Sequence, residues 1–83
     1  MATGLPTLDL HGVRHEDGED LIETFITNNF QNMPVRIILG HSEVFRDMFI
    51  KVCVKYQLGF KSQSGPPDDA VMIVYFYQWQ KNP

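Results

Sequence analysis

The feature that most limits how this chain can fold is a change of hydrophobic period that occurs twice. Leu8-Asp9-Leu10-His11 alternates apolar and polar with the period of a strand and stops at Gly12. From about Glu16 to Phe30 the period lengthens to about 3.6, with Leu21, Ile22, Phe25, Ile26 and Phe30 on one helical stripe. The change then recurs. Pro34 opens the β-branched run Val35-Arg36-Ile37-Ile38-Leu39, which ends at Gly40-His41-Ser42 and leads into a second helix from about Glu43 to Gln57. Ser42 is a candidate N-cap, and Val44, Phe45, Met48, Phe49, Val52, Cys53 and Tyr56 share one face.

Leu58 to Ser64 reads as a more polar strand near an edge, and Ser64-Gly65-Pro66-Pro67-Asp68-Asp69 as a loop that cannot continue a ladder. Ala70 to Tyr77 is the strongest strand. The order β-α-β-α-β-β predicts an α/β fold: a two-layer sandwich with a mixed four-stranded sheet and both helices on one face. The two strand–helix–strand units are expected to pair in parallel with right-handed crossovers, giving the Val35 strand parallel neighbours. With 83 residues there is room for one domain, its core about 8–77.

Composition narrows the classes. No apolar run approaches the roughly 18–20 residues of a membrane span. The single cysteine, Cys53, excludes an internal disulfide and a Cys-type zinc site, and falls on the core stripe of the second helix. A free thiol, with neither a basic n-region nor an apolar h-region in Met1-Ala2-Thr3-Gly4-Leu5-Pro6, predicts a cytoplasmic location. His11 and His15 are four apart, but Gly12 lies between them at a strand end, so no metal or other cofactor is expected. Glu16, Asp17, Glu19 and Asp20 crowd the first helix's opening turns, where the macrodipole favours acids.

Parallel sheets carry ligands at the carboxyl ends of their strands. Here those ends hold Asp9, His11 and Gly12 from the first strand and Gly40, His41 and Ser42 from the second. If the two strands are neighbours, a carboxylate, two imidazoles and a hydroxyl converge on a phosphate-sized place. Either imidazole suits proton transfer near neutrality, with Asp9 as an orienting group. Strand-end hydrogen bonds and capping account for the same residue types equally well.

Leu8-Asp9-Leu10-His11-Gly12, followed by an amphipathic helix and then Arg36-Ile37-Ile38-Leu39-Gly40, resembles the Smr (small MutS-related) domain from about Leu8 to Phe76. That family has an opening Leu-Asp-x-His-Gly strand end and a later Thr-Gly-x-Gly loop. Its α/β sandwich is similar to the C-terminal domain of a translation initiation factor. Its members are implicated in nucleic-acid binding and in DNA nicking or RNA cleavage. The first motif matches in full. In the second, Leu39 stands for the Thr, His41 for a common Lys or Arg, and Ser42 for the second Gly; with a shortened loop, His41-Ser42 matches a His-Ser that often follows. The resemblance implies Asp9 and His11 as catalytic residues of an RNA or structured-DNA endonuclease. Gly12, Gly40, His41 and Ser42 would be its phosphate-binding residues.

A net charge of −3 is unusual for a nucleic-acid binder, but it is unevenly spread. Residues 1–33 hold six acids and one base, whereas residues 34–66 hold five bases and two acids. Lys51 and Lys55 are spaced to share a helix face, with Asp47–Lys51 as an ordinary i,i+4 pair. Arg46, within a turn of the Gly40 loop, joins the phosphate-binding set. The rival expectation is an inert protein-interaction or homodimerisation module. Val71, Ile73, Tyr75, Tyr77 and Trp79 would form its exposed sheet face, opposite Met72, Val74 and Phe76.

Overall fold

The computed structural model of the chain describes residues 4–65 and 68–76. Tyr77 and Trp79 of the expected aromatic face, and Pro66-Pro67 of the expected loop, lie outside the described residues. The elements run β1 (Thr7–Asp9), α1 (His15–Asn28), a 3-10 turn (Phe30–Asn32), β2 (Val35–Ile38), α2 (Glu43–Lys55), β3 (Leu58–Ser62) and β4 (Val71–Phe76). They form an α/β sandwich on a mixed four-stranded sheet of order β1-β2-β4-β3.

The neighbours of β2 differ from the expectation. β1 is parallel to it, but on its other side lies β4, antiparallel, with Val35 opposite Val74 and Ile37 opposite Met72. β3 pairs antiparallel with β4 and takes the edge. The reason lies in the connections. A parallel pair needs a crossover of a dozen or more residues, and the link between β3 and β4 is too short for one. β4 therefore turns back and inserts between β3 and β2.

One face of the sheet is the core. Val35, Ile37, Met72 and Val74 are buried against Ile22 and Ile26 of α1 and Phe45, Phe49, Val52 and Cys53 of α2, so both helices cover the same side. Arg36, Ile38, Val71, Ile73 and Tyr75 alternate onto the other face and are half-buried. Leu21 and Val44, placed on the helical stripes by spacing, are instead about 40% exposed (39% and 41%), because each sits at the margin of its stripe.

α1 stops at Asn28, short of Phe30, where Asn29 donates from Nδ2 to the Phe25 carbonyl (2.8 Å) and satisfies one of the last carbonyls. Phe30 then packs edge-on against Tyr56. α2 ends at Lys55, with Gln57 in the left-handed conformation (φ 57°) that commonly closes a helix. Gly18 sits inside α1 despite its poor helix propensity. A Cβ there would lie 2.6 Å from Cε1 of Phe45, so the helices approach this closely only because the side chain is missing.

Candidate functional site

The pairing of Thr7 with Arg36 and Asp9 with Ile38, extended by the Leu10 N–H donating to the Ile38 carbonyl (3.0 Å), brings the ends of β1 and β2 to one rim. After β1 the chain turns at once. The Val13 N–H donates to the Leu10 carbonyl (3.0 Å), and Gly12 occupies the positive-φ position (81°) that such a turn requires. Asp9 Oδ1 accepts from the backbone N–H of His11 (2.9 Å). The carboxylate thus fixes the turn that presents His11, instead of bonding its imidazole, and the His11 side chain stays exposed.

After β2, Gly40 also has a positive φ (68°), and Ser42 Oγ accepts from the Phe45 N–H (3.1 Å), confirming the expected N-cap. Two clefts open on this rim. One, of about 230 Å³, is bordered by Asp9, His11, Gly12, Gly40, Ser42 and Phe45 among others. Its neighbour, about 140 Å³, is bordered by Gly40, His41, Ser42, Glu43, Arg46 and Asp69. All seven residues named from the sequence border one or both clefts. Each cleft is smaller than the roughly 300–1,000 Å³ of a small-molecule pocket, so a phosphoryl-sized group suits it better than a whole cofactor.

Asp69 was not legible in the sequence as a site residue. It reaches the rim because β4 runs antiparallel and begins where β2 ends, with the Leu39 and Gly40 N–H groups both donating to the Ala70 carbonyl (2.7 and 3.1 Å). There the Arg46 guanidinium donates from Nη1 to Asp69 Oδ2 at 2.5 Å. This bond holds the Asp69 carboxyl below its ordinary range and raises Arg46, with Glu43 and Asp47 adding to the field on Arg46. Arg46 is thus beside the site, as expected, but already occupied.

The two lysines that share a face of α2 are both ion-paired. Lys51 pairs with Glu19 (3.6 Å) and Lys55 with Glu23 (2.8 Å), both across to α1, so the partner of Lys51 is not the Asp47 that its spacing suggested. The Tyr56 hydroxyl donates to the same Glu23 oxygen (2.5 Å). These bonds, Lys55 first and then Tyr56, hold the Glu23 carboxyl low. A lowered folded-state pKa gives stability that is complete above the unfolded value of about 4 and is lost as pH falls through the folded one. Resistance to urea should therefore decline as pH drops below about 4, and a Glu23→Gln, Asp69→Asn double variant should decline less. Coincident acid profiles for the two proteins would refute this assignment.

The remaining chemistry-bearing side chains do not join the rim site. His15 opens α1 with its ring edge-on to Phe45 (5.0 Å between centroids, 85°), whereas His11 lies in the preceding turn. Among the described residues no three His, Cys, Asp or Glu side chains cluster as metal ligands. Burial pushes the Cys53 thiol up to about 12, which suits a core residue and not a nucleophile. No helix among the described residues is long and apolar enough to cross a membrane. No family model, curated protein or solved structure matches the chain.

Proposed function

We propose that this chain is an Smr-like nucleic-acid-binding domain that seats a phosphodiester at the β1–β2 rim and cleaves it as an endonuclease of RNA or structured DNA. The observation that carries this reading is the convergence of Asp9, His11 and Gly12 with Gly40, His41 and Ser42 around adjoining clefts. Asp9 holds the turn. Gly12 and Gly40 let the backbone come close to a phosphate, and Ser42 shapes the opening turn of α2. His11 is the proton-transfer group. Its imidazole takes the proton of the attacking hydroxyl or water as that oxygen bonds to phosphorus, the bond from phosphorus to the leaving oxygen breaks, and the leaving oxygen takes its proton from water.

His41, where the family commonly has a Lys or Arg, and the occupied Arg46 make this a weak electrostatic grip. Binding is therefore expected at low salt and should fade as salt rises. An electrophoretic panel of single- and double-stranded RNA and DNA and branched duplexes, run at low salt, tests the reading. Retarded or shortened strands support it; a chain that neither binds nor cuts any of them refutes it. The rival dimerisation reading needs an uninterrupted apolar sheet face, and Arg36 crosses that face to reach Gln63 and Thr7.

A further inference from the structure

We propose that the face of the sheet away from both helices, open among the described residues, is a second contact surface, one that takes a single strand of nucleic acid and leads it into the rim. The inference rests on the nucleic-acid reading above for its ligand class, but not on cleavage.

The first support is where uncompensated positive charge lies. Six Lys and Arg residues are described: Arg14, Arg36, Arg46, Lys51, Lys55 and Lys61. Four of them pair with carboxylates, Arg14 with Glu16 and Asp17, Arg46 with Asp69, Lys51 with Glu19 and Lys55 with Glu23. The other two, Arg36 and Lys61, stand in one row across the open face, on either side of Ile73. Arg36 donates to Gln63 Oε1 (2.7 Å) and Thr7 Oγ1 (3.3 Å), two neutral partners that hold the guanidinium in place without cancelling its charge.

The second support is an aromatic platform one row further along. Tyr75 lies over Gly59, where a Cβ would fall 2.4 Å from the ring, and is half-buried. The third is continuity. Ile38 shares the open face with Arg36 and also borders the larger rim cleft.

A held guanidinium and an exposed lysine flanking Ile73, with a tyrosine nearby, match a backbone phosphate beside a stacking base. A second copy of this chain fits less well, because a two-fold arrangement sets the same positive row against itself.

The test is a salt series of fluorescence anisotropy with a labelled oligouridylate of about 12 nucleotides, together with amide chemical-shift mapping on the labelled chain. Each cation removed from a single-strand contact should flatten the log–log salt slope by about 0.7, so R36Q/K61Q should flatten it by about 1.4. Y75L should weaken binding roughly ten-fold or more. Lys61 is exposed on the edge strand, so K61Q alone preserves the measurement if Arg36→Gln disturbs the sheet. Shifts at residues 36, 61, 73 and 75 support the proposal.

An unchanged slope in the variants overturns it. Shifts confined to residues 9–13 and 40–46 overturn it and leave the rim reading standing. An oligonucleotide that does not bind overturns both. Concentration-dependent dimerisation in light scattering, strengthened by R36Q/K61Q, overturns it in favour of a second copy on this face.

Discussion

Phe49→Ala should move the urea midpoint of unfolding far below that of the parent chain. Phe49 is fully buried (0% exposed) and is the largest such side chain, and its ring stands edge-on to Phe60 of β3 (5.2 Å, 73°). It therefore ties α2 to the edge strand. Truncating a buried phenylalanine costs about 3–5 kcal/mol, and the lost ring pair is counted within that figure. A chain of 83 residues has a total stability of order 4–12 kcal/mol, so the loss is a large fraction of what is available. Phe49→Leu keeps most of the volume and should cost much less. Val54→Ala, at a site 68% exposed, should change stability by less than about 0.5 kcal/mol. Urea titrations followed by circular dichroism give all three values, and a Phe49→Ala protein within about 1 kcal/mol of the parent would refute the account of the core.

The second large effect belongs to the rim. His11→Ala should lower the cleavage rate by about 10²–10⁴-fold while leaving the fold intact, because the side chain is exposed and only its backbone N–H is bonded to Asp9. Asp9→Ala should act differently. It frees the His11 N–H and loosens the Leu10–Val13 turn, so it should weaken substrate binding as well as slowing the chemistry. Single-turnover rates alongside binding constants separate the two. If His11→Ala cuts as fast as the parent, His11 is not the proton-transfer group, although the chain could still bind.

Much of this was legible in the sequence because its signals are local. The strand–glycine–helix units appear as two changes of period. Ser42 as a cap, Cys53 as a core residue and β3 as an edge strand each follow from neighbours a few positions away. The larger departures come from contacts distant in sequence, whereas Leu21, Val44 and the end of α1 at Asn28 are local ones at element margins. The short link after β3 makes β4 reverse, but nothing in Ala70 to Phe76 says that it will enter between β2 and β3 and so bring Asp69 beside the end of β2. A parallel β4 would have placed it at the opposite end of the sheet. The partners of Lys51 and Lys55 were not legible because Glu19 and Glu23 are about thirty residues away, and only the docking of α1 on α2 joins them. Asp9, His11, Gly12, Gly40, His41 and Ser42 lie at one rim because β1 and β2 are parallel neighbours, the condition on which their convergence depends.

The Arg46–Asp69 pair changes what kind of event anion capture at the rim is. A guanidinium that binds a nucleic-acid phosphate releases the cations condensed around that phosphate, and this makes ordinary nucleic-acid binding steeply sensitive to salt. Arg46 carries a carboxylate partner on the same chain, so a phosphate that engages it must displace Asp69, whose freed charge draws a cation back and offsets part of that release. The carboxylate comes from Asp69, which lies just before β4 and outside both helices. The ionic character of the rim is therefore set jointly by α2, which carries the cation, and by the approach to β4, which carries the anion.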